Sequence, residues 1–130
     1  MKKHGSVIIP HDIKPYPAEH EIKAAEILAT QGKIVMFVKP RTAYKAKSFD
    51  VMIDGVDWEI KSPKGNAKFT IIRQLKRGRK QSRHIIIDTS RTKIDDILAE
   101  KQIRKSLLEH RSIKRVILIT KTFQIIDICK

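Results

Sequence analysis

Residues 49–65, FDVMIDGVDWEIKSPKG, constrain the fold more than any other stretch, because side chains alternate between an apolar and a largely polar face up to Asp54-Gly55 and away from it again. Asp-Gly suits a two-residue type I′ turn, since both positions accept positive φ. The turn sets a register in which Ile53 faces Val56, Met52 faces Asp57, Val51 faces Trp58 and Asp50 faces Glu59. One face then carries Phe49, Val51, Ile53, Val56, Trp58 and Ile60, and the other Ser48, Asp50, Met52, Asp57, Glu59 and Lys61. The apolar row is a core face. The polar row needs its own explanation, because like charges directly opposite each other, with Cβ atoms about 5 Å apart, destabilise a hairpin unless something sits between them.

Around this hairpin the pattern predicts a helix over 18–31 stopped by Gly32, a strand at 34–38, and hairpin strands at 48–53 and 56–62. A basic helix over 68–82 and a buried strand at 84–88 follow. Next come a helix over 94–110 capped by Ser90 or Thr92, and strands at 115–120 and 123–128 around Lys121-Thr122. Strands interleaved with helices, and no internal repeat, make a single α/β domain over 18–130 with a mixed central β-sheet flanked by helices. Pro10, Pro15 and Pro17 make residues 1–17 an extended arm or linker rather than an element. A chain of 130 residues buries roughly two-thirds of its unfolded surface, enough for a proper core.

The chain carries 28 Lys and Arg against 14 Asp and Glu, a formal charge of +14. Self-repulsion of that size favours a polyanionic or acidic partner, nucleic acid first. Apolar runs such as 34–38 and 116–120 fall far short of the roughly 20 residues that span a bilayer, and the N-terminus has no signal-type apolar core, so a soluble domain without membrane insertion is expected. The lone Cys129 excludes an internal disulfide and a cysteine-based zinc site.

Two carboxylates facing across a hairpin suit a hard divalent cation, Mg²⁺ or Mn²⁺, completed by water and phosphate oxygens. Lys61 projects from the side of Glu59 towards the same place, giving a constellation suited to cutting phosphodiesters. A plain solvated hairpin face is the competing reading. In the helix over 18–31, Glu21 shares the stripe of Ile22, Ala25 and Leu28, while Glu19 and Glu26 fall on the other side, so Glu21 is the carboxylate expected to point inwards. A helix-start glutamate favoured by the dipole would look the same. Residues 60–87 contain nine Lys or Arg and no acid. Lys64, Lys68, Arg73, Lys76, Arg77, Arg79, Lys80 and Arg83 are therefore the candidate phosphate contacts, since a merely solubilising surface mixes signs.

Glu21 on a helix, Asp50 on a strand and Glu59-Ile60-Lys61 on the return strand resemble the PD-(D/E)XK nuclease superfamily, with Phe49 standing where the pattern has its nominal proline. The resemblance implies that Asp50 and Glu59, with the Ile60 carbonyl, ligate the metal. It also implies that Lys61 positions or activates the attacking water and that Glu21 completes the shell, directly or through water. Small size, high positive charge and the phrase KQSRHIIID look like the C-terminal nuclease domains of contact-dependent growth-inhibition toxins, some of which cleave transfer RNA. That narrower likeness implies a toxin acting in the bacterial cytoplasm, delivered as part of a larger cell-surface protein and neutralised by an acidic immunity protein.

A DNA endonuclease of the resolvase or restriction type would use the same four residues. A non-catalytic basic nucleic-acid-binding module is the rival from another class. Aromatic residues at 5%, with Trp58 in the core, offer few platforms for stacking single-stranded bases. His4, His11, His20, His84 and His110 form no close pair on any predicted face, which disfavours metal-independent histidine catalysis.

Overall fold

The computed structural model describes residues 4–39 and 50–130. Seven strands form one sheet in sequence order: β1 (Ser6–Ile8), β2 (Ile34–Phe37), β3 (Val51–Ile53), β4 (Val56–Lys61), β5 (His84–Asp88), β6 (Arg115–Ile119) and β7 (Ile125–Cys129). Three helices connect them, α1 (Glu19–Thr30), α2 (Thr70–Gly78) and α3 (Asp96–Glu109). The sheet is mixed. β1 and β2 run parallel, as do β4, β5 and β6, while β2–β3, β3–β4 and β6–β7 are antiparallel. The mixed α/β class expected from the sequence is therefore the class observed.

The hairpin turn forms as its sequence requires, with Asp54 at φ 53° and Gly55 at φ 78°, and with Val51–Trp58, Met52–Asp57 and Ile53–Val56 in register. Alternation then divides the core between the two faces of the sheet. Val51, Ile53, Trp58 and Ile60 join Val35, Phe37, Ile86 and Ile117 under Ala24, Ala25 and Leu28 of α1. Ile85, Ile87, Val116 and Leu118 face the other way, under Ile71 and Leu75 of α2 and Ile103 and Leu107 of α3. β5 and β6, buried on both faces, are continuous apolar runs for that reason.

Several boundaries differ from the sequence expectation. Residues 1–17 are not wholly an arm, because Ser6–Ile8 pairs with β2 as the edge strand of the sheet. Three residues without clear alternation give no periodic signal, and only the neighbouring strand makes them β. Ser48 and Phe49, expected in β3, lie outside the described residues, and Asp50 is a bend just before the strand. The basic helix is nine residues, shorter than the predicted 68–82, so Lys64 and Lys68 precede it, Arg79 caps it, and Lys80 and Arg83 follow. α3 is capped by neither Ser90 nor Thr92. Asp95 Oδ2 accepts from the N–H groups of Ile97 and Leu98, at 3.2 and 3.3 Å, and Thr89 Oγ1 ties the helix start to β5 by donating to Asp96 Oδ1 at 2.8 Å. Phe123 belongs to the turn between β6 and β7, which spans more than Lys121-Thr122.

β1 reaches the sheet only because Gly5 has no side chain. Its N–H donates to the Ala29 carbonyl at 2.7 Å, and a Cβ there would stand 1.8 Å from the Lys33 carbonyl oxygen. Gly5→Ala should therefore push β1 off β2 and lower stability by about 1–3 kcal/mol. Urea unfolding with amide exchange at Ser6–Ile8 checks this; an unchanged midpoint with protected amides overturns it.

Candidate active site

The site begins where β3 leaves β4. Inside the hairpin the ladder satisfies each inward N–H and C=O, but Asp50 bends away and its N–H turns to the Trp58 carbonyl at 3.1 Å. The next N–H of β4 on that side, that of Ile60, lacks a ladder partner, and Asp50 Oδ2 accepts from it at 2.9 Å. Asp50 is thus not a regular cross-strand neighbour of Glu59, as the hairpin register predicted. Its carboxylate is nevertheless held against Glu59 by the Ile60 hydrogen bond.

Glu59 is 4% exposed, so the polar face of the hairpin is not a solvated face at this point. α2 packs against β4 and β5 and covers it. Oε2 pairs with Lys61 Nζ at 3.2 Å, whereas Oε1 is buried without a hydrogen-bond donor among the described residues. Burial, then the Asp50 charge and a hydrogen bond to Asp50, push the Glu59 carboxyl up to about 8, against the opposing pull of Lys61. Burial and the neighbouring Asp50 charge thus favour the neutral form of Glu59 over its carboxylate. A buried acceptor atom without a donor, beside a second carboxylate, also suits a hard cation that replaces the proton. Asp50 and Glu59 therefore fit a divalent ion.

Glu21 is placed differently. It is half-buried while Glu19 and Glu26 are exposed, in line with the inward direction expected of it, and its Oε1 accepts the Ala18 N–H at 2.9 Å at the start of α1. It lines a cleft of about 90 Å³ together with Asp50. But α1 lies over the face of Trp58 and Ile60, whereas alternation turns Glu59 and Lys61 to the opposite face. No three of the described His, Cys, Asp or Glu residues converge as a metal cluster. Glu21 thus approaches Asp50, not the pair, and a role as direct third ligand does not fit.

Of the basic residues, Lys64, Lys68, Arg73, Lys76, Arg77, Lys80 and Arg83 are exposed. Arg79 is not free to meet a ligand in the same way, because its Nη1 lies 3.1 Å from His110 Nδ1 at the end of α3. Lys64 stands apart from the α2 surface, in a cleft at the carboxyl ends of β4 and β5.

Sequence reasoning missed two features. Asp88, 1% exposed at the end of β5, accepts from Ser62 Oγ at 3.0 Å and from the Ser90 N–H at 2.9 Å, and so joins the end of the Glu59–Lys61 strand to the next loop. The acid ending the apolar run HIIID was its signal. The other is that three of the few aromatics lie on the surface, Tyr16, Phe69 and Phe123 being 63%, 51% and 44% exposed, with Lys68 over the Phe69 ring and Lys23 over the Phe123 ring. Trp58 is in the core as expected, beside His84 with ring centroids 5.2 Å apart.

Fold and site together define a small mixed-sheet α/β domain with a buried glutamate, a neighbouring aspartate and a lysine at the break of a hairpin and a cationic surface beside it. The family model described as "Contact-dependent growth inhibition CdiA C-terminal domain" matches residues 47–125, and the chain belongs to that family. None of the curated proteins matches. A solved structure described as "CdiA-CT/CdiI toxin and immunity complex from Burkholderia pseudomallei" contains a chain of the same fold, 20% identical, with a TM-score of 0.67 over 97% of this chain and 98% of that one.

A raised carboxyl has a measurable consequence. The folded protein keeps the Glu59 proton that the unfolded chain releases above the ordinary value of 4.5, so stability falls as pH rises from 4.5 towards about 8. Glu59→Gln should remove this slope and be at least as stable as wild type on the alkaline side. Urea midpoints in EDTA at about pH 5 and about pH 9 test it, and a wild-type midpoint that does not fall overturns the assignment.

Proposed function

We propose that this domain is a divalent-metal-dependent nuclease of the PD-(D/E)XK type, that it hydrolyses phosphodiester bonds of transfer RNA as a growth-inhibition toxin, and that an acidic immunity protein neutralises it. One observation carries the reading: Glu59 is buried beside the half-buried Asp50, one of its oxygens is short of a donor, and the Lys61 ammonium attends the other. A structural ion pair would satisfy its oxygens, whereas a site awaiting a cation and a phosphate leaves one open. The order of the supporting elements agrees, with Glu21 on α1, Asp50 at the head of β3 and Glu59-Ile60-Lys61 on β4. Membership of the CdiA C-terminal domain family supports a toxin delivered by a larger cell-surface protein into the cytoplasm of a target cell. The Burkholderia pseudomallei chain of like fold is described in complex with its immunity protein, which supports a partner of that kind here. A charge of +14 suits an acidic one, steered on and off the same surface the substrate uses.

Mg²⁺ or Mn²⁺, when bound, would polarise the phosphate and lower the pKa of a bound water. The chain's own residues account for the rest. Asp50, fixed by the Ile60 N–H, and Glu59, once its proton is displaced, would supply the anionic oxygens. Lys61, held by Glu59, directs its ammonium at charge developing on the phosphate as the water oxygen bonds to phosphorus and one ester P–O bond breaks. Glu21, across the small cleft from Asp50, can order water at the pair's edge. Among the described residues no helix is long and apolar enough to cross a membrane.

Side-by-side digestion of plasmid DNA, ribosomal RNA and transfer RNA, with Mg²⁺ and with EDTA, tests the activity. Transfer RNA should be cut only with metal, and Asp50→Asn or Glu59→Gln should lower the rate by about 10²-fold or more. Full cleavage in EDTA or by Glu59→Gln overturns the site, and cleavage of the plasmid alone moves the substrate to DNA.

The exposed cations of α2 and its flanks should supply phosphate contacts. Arg77→Ala with Lys80→Ala should flatten the log–log salt dependence of substrate binding by roughly two units at most. An unchanged slope returns this surface to solubility alone.

A further inference from the structure

A second cleft opens at the carboxyl ends of β4 and β5, on the α1 side of the sheet and across the first turn of α1 from the small Glu21–Asp50 cleft. Its volume is about 420 Å³, within the range that holds a nucleotide-sized ligand. We propose that it receives one unstacked nucleotide of the substrate strand, with the base against the Phe123 ring and the phosphate between Arg91 and Lys64. The proposal rests on the nucleic-acid reading above and adds to it where the strand runs.

Two independent features of the cleft ask for such a ligand. Arg91 Nη1 is buried and has no hydrogen-bond partner among the described residues, although it belongs to a guanidinium that lines the cleft. A desolvated, unpaired cationic donor is costly unless an anion completes it. Phe123 sits at φ 63°, in the left-handed region that a bulky residue rarely adopts, and its ring is 44% exposed. The turn holds it there, with the Phe123 N–H donating to the Thr120 carbonyl at 3.0 Å and the Gln124 N–H donating to Thr120 Oγ1 at 3.0 Å. Strain that presents an aromatic ring to solvent at the mouth of a cationic cleft is what a stacking platform requires. Lys23 Nζ lies 5.1 Å from the ring centroid, which adds a cation beside the exposed ring.

Charge balance agrees. Lys23, Lys64 and Arg91 face Glu19 and Asp88, so the cations outnumber the acids by one. The Ser62–Asp88 bond also places the floor of the cleft one residue from Lys61, so a strand crossing the carboxyl edge of the sheet meets both. Bases stacked inside a duplex present no free face to Phe123; an unpaired nucleotide of a loop or end does.

Fluorescence anisotropy in EDTA with a short labelled single-stranded RNA, and with the same strand annealed to its complement, tests the cleft in the full chain carrying Glu59→Gln. Adding Phe123→Leu should weaken single-strand binding about tenfold and leave duplex binding unchanged, while Phe123→Tyr keeps wild-type affinity. Arg91→Gln should lower the log–log salt slope by about one. Equal single-strand affinity with Phe123 and Leu, or equal losses with Leu and Tyr, overturns the proposal. Cleavage by otherwise native chains separates the two readings. If Phe123→Leu and Arg91→Gln cut with unchanged KM, the cleft falls and the nuclease stands. If the native chain cuts nothing yet binds single strands through Phe123, the nuclease falls and the cleft stands.

Discussion

Where β3 parts from β4, the Ile60 N–H has lost its ladder partner, and the carboxylate of Asp50 takes the place of a backbone carbonyl. A buried N–H left without an acceptor would cost as much as a hydrogen bond, so the sheet can open here only because an acid closes it. That substitution brings a negative charge to the side of Glu59, which α2 and the next strand have already removed from water. Burial first, and then this neighbouring charge, raise the Glu59 carboxyl.

The site is therefore frustrated by construction. Hydrophobic packing on both sides of β4 and β5 holds the acids together, and electrostatics pushes them apart. The rigid parallel strands Trp58–Lys61 and His84–Asp88 sustain the conflict because they are buried on both faces and have no freedom to splay. At the carboxyl edge the same strands end in Lys61, Ser62 and Asp88, which turns the end of the sheet into a polar rim flanked by the first turn of α1. The basic residues of α2 lie on the opposite side of the sheet from α1, so the cationic surface wraps around that rim rather than facing it from one side.

Much of this arrangement was legible in the chain. Alternation about Asp54-Gly55 specifies a hairpin because the side-chain period is two and the turn tolerates only certain residues, and the observed register of Val51, Met52 and Ile53 is the predicted one. Apolar runs at 84–88 and 115–119, the stop at Gly32 and the inward stripe of α1 are local signals, and the elements stand where those signals lie. The pairing of Glu59 with Lys61 is visible in the same way, since residues two apart on a strand share a face.

Other features depend on neighbours distant in sequence, and no local pattern carries them. β1 is a strand only because β2 and the end of α1 receive it around Gly5. Gly78 packs so closely on Ile85 that a side chain there would crowd it, and Arg79 meets His110 from α3. The sequence by itself determined the mixed sheet, the charge and the identity of the acid pair, because these follow from periodicity and composition. Tertiary structure alone decided that Glu59 is buried, that Glu21 lies across the sheet from it, and that Asp88, Arg91 and Phe123 share one cleft, because burial and convergence depend on which faces the packing layers cover.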